Sequence, residues 1–161
     1  MSFNETTLAL IDEIDHGMRS NRETLVVVES ITGGLVSALL TQKGGVSSWY
    51  HGGLCLYSKC VKQKILQLPK NSSTVGEAAT VFLAEQAFVR TQASITLAIT
   101  GEAGPQLSEH TYKVGDVFIC VAKSGQQNRC LFLNLTGDRI SIQKQAALKC
   151  LELLKETVVG T

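Results

Sequence analysis

The sequence predicts a single three-layer α/β/α domain, spanning 1–161, with a mixed, partly parallel sheet, on three grounds. Segments of helical and strand periodicity alternate along the chain. Three apolar runs break abruptly into polar and glycine residues: Thr24-Leu-Val-Val-Val-Glu-Ser-Ile-Thr-Gly-Gly34, Gly52-Gly-Leu-Cys-Leu-Tyr-Ser-Lys59 and Ser94-Ile-Thr-Leu-Ala-Ile-Thr-Gly-Glu-Ala-Gly-Pro105. Each reads as a strand delivering hydroxyls and glycines to a loop or helix start. Finally, strand patterns at 115–122 and 129–135 flank a Ser-Gly turn and read as a hairpin, the antiparallel part of the sheet.

The elements follow in order. Leu8, Ile11, Ile14 and Met18 recur at helical spacing, predicting an amphipathic helix over 4–20. A strand at 24–29 precedes a helix at 33–42, packed through Leu35, Leu39 and Leu40 and stopped by Gly44-Gly45. The next strand is expected at 53–57. Ser58 is a good N-cap for a helix through Leu66, and Pro69 limits its extension. Residues 77–91 form a longer helix, apolar at Val81, Leu83, Ala84, Ala87 and Phe88. A strand at 94–99 and a loop at 101–113 lead to the hairpin, and a helix at 138–156 with a fraying tail ends the chain. Right-handed crossovers join the parallel strands.

Composition narrows the function. The chain is 44% hydrophobic and 18% charged, with a net charge of +1, so there is no broad electrostatic reason to expect nucleic acid or an acidic membrane as partner. A small-molecule ligand is expected instead. No apolar window approaches the ~20 residues that cross a bilayer. Five cysteines form no CxxC pair and no signal-like segment opens the chain, so they read as reduced thiols of a soluble, cytoplasmic protein, with Cys55 and Cys120 structural. Neither a P-loop nor a GxGxxG pattern follows a strand. His16, His51 and His110 match no metal-ligand spacing, so neither a metal nor an organic cofactor is expected.

In open α/β sheets ligands bind beyond the carboxyl ends of the strands, where the three polar strand ends converge. With no histidine suitably placed, a serine nucleophile needs another base, and a lysine serves if burial lowers its pKa. Lys62 lies about one turn into the helix opened by Ser58, able to point back toward Tyr57, while Ser30 sits at the matching end of the neighbouring strand. Ser30, Tyr57 and Lys62 can therefore share one cavity. Blander readings stand beside this one: Ser30 as an N-cap, Lys62 as a solvated lysine beside Lys59 and Lys64, and Gly33-Gly34 as a tight turn rather than a cradle for an oxyanion.

Taken together, Glu29-Ser-Ile-Thr-Gly-Gly34, Tyr57-Ser58 with Lys62, Thr100-Gly101 with Ala103-Gly-Pro105, and Gly137-Asp-Arg139 resemble the C-terminal domain of the competence-damage-inducible CinA family over essentially the whole chain. That family includes stand-alone nicotinamide-nucleotide amidases. The resemblance implies hydrolysis of the carboxamide of nicotinamide mononucleotide to nicotinic acid mononucleotide and ammonia, a step of pyridine-nucleotide salvage that needs no cofactor. Carried onto this chain, the nucleophile falls on Ser30, the base on Lys62 and a supporting hydroxyl on Tyr57. Glu29, Thr32, Gly33, Gly34, Thr100, Gly101 and Arg139 then surround the substrate. Thr32, Gly33 and Gly34 offer backbone donors, and Thr100, Gly101 and Arg139 hold ribose and phosphate, Arg139 being assigned from its charge. A homo-oligomer, first of all a dimer, is expected for such a small domain.

The chain departs from the family pattern around the same site. Ile31 replaces a cysteine, Lys59-Cys60 an Asn-Glu pair and Gly76 a serine. Glu102 takes an apolar place, and Gln106-Leu-Ser-Glu with Lys113 replaces a glycine pair and a proline. These changes keep two other readings open: a catalytically silent paralogue that binds a nucleotide or a protein, and an amidase acting on a different amide.

Overall fold

The computed structural model describes residues 5–160. Its central feature is a five-stranded sheet in the order β2-β1-β3-β4-β5. The strands are β1 (Leu25–Glu29), β2 (Tyr50–Cys55), β3 (Ile95–Gly101), β4 (Asp116–Lys123) and β5 (Arg129–Asn134). β1 pairs in parallel with both β2 and β3, whereas β3–β4 and β4–β5 are antiparallel. The mixed sheet is the one expected from two crossover units followed by a hairpin.

The period-2 alternation of the central strands sorts their side chains into two cores. Leu25, Val27, Ile95, Leu97, Ile99, Val117, Ile119 and Val121 face α1 (Glu5–Ser20), α2 (Leu35–Leu40) and α5 (Arg139–Val159), which bring Ile11, Ile14, Met18, Leu39, Ile142 and Leu151. Val28, Ala98, Cys120 and Ala122 face the other way, toward α3 (Lys59–Leu66) and α4 (Glu77–Thr91), which contribute Leu66, Leu83, Ala84 and Ala87. Helices thus cover both faces, which is why β1, β3 and nearly all of β4 are continuously buried.

Elements β2, β3 and α5 differ from the expectation. β2 begins at Tyr50 rather than near residue 53, because the Leu25 N–H already pairs with the Trp49 carbonyl; an irregular register between Leu25 and Val26 then lets Gly52 and Gly53 continue the ladder. Cys55 lies on this edge strand, whose residues alternate between half-buried and exposed, so its side chain is exposed instead of structural. β3 runs two residues further than expected, which draws Thr100 and Gly101 into pairing with Phe118 and Val117. The tail of α5 does not fray: Leu153, Leu154 and Val158 are buried, and Asn21 Nδ2 donates to the Val158 carbonyl at 2.6 Å. Gly17 permits that approach, since a Cβ there would stand 2.8 Å from Val158 Cγ2.

Candidate active site

The carboxyl ends of β1, β2 and β3 open into a cavity of about 720 Å³ whose wall includes Ser30, Tyr57, Lys62, Gly101, Glu102, Glu109 and Arg139. The sheet topology explains the opening. From β1 the chain crosses to β2 on one side and then returns to β3 on the other, so the connections diverge above β1 and leave a crevice. Ser30 follows directly from the end of β1.

Lys62 meets Ser30 inside this crevice. Its position on the first turns of α3 is set by Ser58, whose hydroxyl accepts the Val61 N–H and starts the helix. The Lys62 amine lies 2.9 Å from Ser30 Oγ and 3.1 Å from the Tyr57 carbonyl. The residue is only 2% exposed, and among the described residues it has no ion-pair partner. Burial therefore lowers its pKa below the ordinary lysine value, opposed only in part by the charges of Glu109 and Cys55. An amine with a lowered pKa is easier to deprotonate, and once neutral it can present its lone pair to a serine hydroxyl.

Tyr57 and Arg139 form a second pair on the same wall. Arg139 donates from one guanidinium nitrogen to the Tyr57 hydroxyl at 2.5 Å and from another to the Gly104 carbonyl at 2.7 Å. Because Tyr57 accepts from the arginine, its own proton is free to point elsewhere. Asp138 caps α5 immediately before Arg139, accepting the Ser141 N–H at 2.8 Å and so fixing where the guanidinium starts.

The remaining expected site residues are placed differently. The Glu29 carboxylate does not face the cavity; it is 1% exposed and accepts from the Thr32 and Ser37 hydroxyls and from the N–H groups of Gly34, Val36 and Ser37. It caps α2 from within, in place of Ser30, which is thereby free of the capping duty. Thr32 is buried as its partner. Gly33 and Gly34 take positive φ, but the Gly33 N–H already meets the Ser30 carbonyl and that of Gly34 meets Glu29, so neither donor is available to an oxyanion. Thr100 is fully buried, its hydroxyl 2.7 Å from that of Thr80 and accepting the Gly76 N–H, not a ribose. The strand continuing through residue 101 accounts for this. Of the residues assigned to ribose and phosphate, Gly101 and Arg139 line the cavity.

Sequence reasoning did not single out Glu109. Its carboxylate takes hydrogen bonds from the Ser73 hydroxyl and from the N–H and hydroxyl of Thr74, stapling the loop after β3 to the loop before α4. Burial pushes its carboxyl up, but those bonds and the charge of Lys59 outweigh it and hold the pKa below the usual carboxylate value. Glu102, itself 3% exposed, accepts from the Ser108 N–H and hydroxyl and from the Glu109 N–H, which orients Glu109 from behind. The available signal was the cluster of two carboxylates, Glu102 and Glu109, in the loop that departs from the pattern implied by the resemblance. Gly76 has a steric reason of its own: a Cβ there would collide with the Tyr112 hydroxyl.

Comparison with known proteins agrees with this architecture. The model of the CinA C-terminal domain family matches residues 7–158. A CinA-like protein of Amoebophilus asiaticus (strain 5a2) is 32% identical over 98% of this chain, and a protein of Bacillus cereus (strain G9842) named as competence-damage inducible is 36% identical over 76% of it. The chain spans 39% and 31% of the lengths of these two relatives. The crystal structure of a CinA superfamily protein from Klebsiella pneumoniae superposes with a TM-score of 0.89 at 25% identity, covering 96% of this chain and 99% of that one. A CinA superfamily structure from Escherichia coli gives 0.88 at the same identity, covering 96% and 94%. With the family model matching residues 7–158 and a CinA-like relative 32% identical over 98% of the chain, the chain belongs to the CinA C-terminal domain family.

Proposed function

We propose that the protein hydrolyses the carboxamide of nicotinamide mononucleotide, releasing nicotinic acid mononucleotide and ammonia, by a Ser/Lys mechanism. The observation that carries this reading is the 2.9 Å contact between Ser30 Oγ and a buried lysine amine on the wall of an open cavity. In the first step the Lys62 amine takes the Ser30 proton while Oγ attacks the carboxamide carbon. As the tetrahedral intermediate collapses, the C–N bond breaks and the Lys62 ammonium returns its proton to the departing nitrogen, which leaves as ammonia. Water then adds to the acyl ester with Lys62 again as base, giving the carboxylate and free Ser30. The Tyr57 hydroxyl, polarised by Arg139, is a donor for the developing oxyanion, and Arg139 is the charge available to the substrate phosphate.

Ammonia release from nicotinamide mononucleotide is the direct test. The wild type turns over, and Ser30→Ala lowers kcat by at least ~1,000-fold with unchanged folding, as expected for loss of a covalent nucleophile. A variant as active as wild type rules the mechanism out. Ligand binding without turnover in the wild type would instead favour the silent paralogue. A cytoplasmic setting is part of the same proposal, supported by five free cysteines; among the described residues no helix is long and apolar enough to cross a membrane.

A further inference from the structure

The hydrolytic steps leave the Glu109 carboxylate without a task. It lines the same cavity as Ser30 and Lys62, its charge acts on the Lys62 amine, and it forms no ion pair among the described residues. Lys59, which acts on it through charge, directs its own amine to the Ser72 carbonyl at 2.8 Å. Donors from Ser73 and Thr74 favour the ionised carboxylate, while burial lowers the pKa of the Lys62 amine on the same cavity wall. When Lys62 is neutral and ready to act as base, the cavity wall carries the Glu109 carboxylate, on which Lys59 acts through charge but with which no cation among the described residues forms an ion pair. A ligand that brings a positive charge beside its scissile carbonyl completes that arrangement, and in a partly desolvated cavity the attraction is stronger than in bulk water.

We propose that Glu109 is a specificity-determining residue, the counter-ion for a positively charged ring bearing the scissile carboxamide, so that the site selects N-substituted pyridinium carboxamides over their neutral-ring counterparts. This rests on the hydrolytic reading of Ser30 and Lys62 and refines it. Arg139, joined to Tyr57 and Gly104, serves the anionic group of the same ligand, while Glu109, joined to Ser73 and Thr74, serves the cationic ring.

The test compares dissociation constants for nicotinamide mononucleotide, whose ring is cationic, and its 1,4-dihydro form, whose ring is neutral. Calorimetric titration of Ser30→Ala protein avoids turnover. The parent variant binds the cationic ligand at least about tenfold more tightly, close to 1.4 kcal/mol. Glu109→Gln, which keeps a carbonyl acceptor for Thr74, weakens the cationic ligand by about that factor and shifts the neutral one less than about twofold. Ser73→Ala, which removes a hydrogen bond but leaves the charge, preserves the preference. Equal weakening of both ligands by Glu109→Gln overturns the inference, as does loss of the preference in Ser73→Ala, and a parent ratio near one overturns it without any Glu109 variant. If wild-type protein releases ammonia from the mononucleotide while the ratio ignores Glu109, this inference alone falls. If the wild type releases none, the hydrolytic reading fails and takes the inference with it.

Discussion

Lys62 carries its amine into surroundings that disfavour a charged group. It gains two short polar contacts, to Ser30 and the Tyr57 carbonyl, but no carboxylate pairs with it to offset desolvation among the described residues. The unfolded chain keeps the lysine proton up to pH ~10.4, whereas the folded protein releases it at lower pH. Between those two values the unfolded state binds more protons, so wild-type stability rises with pH. Lys62→Met, similar in length and uncharged, is therefore expected to be inactive yet more stable than wild type at neutral pH, by about 1 kcal/mol or more, with the advantage shrinking toward pH 10. Urea denaturation at both pH values checks this; an advantage that grows with pH contradicts it. The same ionisation governs activity, so wild-type kcat/KM climbs with pH to a plateau reached below the ordinary lysine value. Spacing alone brought Ser30, Tyr57 and Lys62 to one place, because a strand end, an N-cap and one helical turn are short-range geometry.

Helix α2 shows why some of the site was not legible. The segment Glu29-Ser-Ile-Thr-Gly-Gly34 left Ser30 readable as nucleophile or as N-cap and set Glu29 near the ligand, whereas in the structure the capping role falls to Glu29. Glu29, buried at the end of β1, reaches across the turn to five donors, and Ser30 projects into the cavity. Which of two adjacent polar residues caps a helix depends on the face to which the preceding strand delivers each, and Glu29 ends a strand buried along its whole length. The helix also begins at Leu35, because Gly33 and Gly34 hold positive φ that a continuous helix from residue 33 does not allow. Glu29→Gln removes one acceptor and sets an amide donor against N–H groups, so a loss of about 2–3 kcal/mol is expected, read as a lower midpoint in thermal unfolding. A midpoint within error of wild type would mean that α2 is held by packing alone. The ends of β2, β3 and α5 were misjudged for a related reason: pairing with β1 and β4, and the docking of Val158 on Gly17, extend them beyond what their own residues signal.

The three layers, the mixed and partly parallel sheet and the crevice at its strand ends follow from the alternation of periods, and that much was written in the sequence; the full strand order was not. The 101–113 loop was not, because its conformation rests on the contacts of Glu102 and Glu109 with residues that carry no periodic pattern. A homodimer is proposed on the size of the domain, supported by exposed apolar side chains at Val89 and Phe132; sedimentation velocity at micromolar concentration is expected to give twice the monomer mass, and a monomer at all concentrations contradicts it. The proposed activation of Ser30 turns on a lysine that is uncharged when the two groups meet. Its protonation is observable by heteronuclear NMR of protein labelled at lysine Nζ, with the Lys62 signal assigned as the one missing in Lys62→Met. The expected result is a resonance whose titration midpoint lies clearly below those of the exposed lysines. A midpoint coincident with theirs would contradict a neutral amine and with it the proposed activation of Ser30.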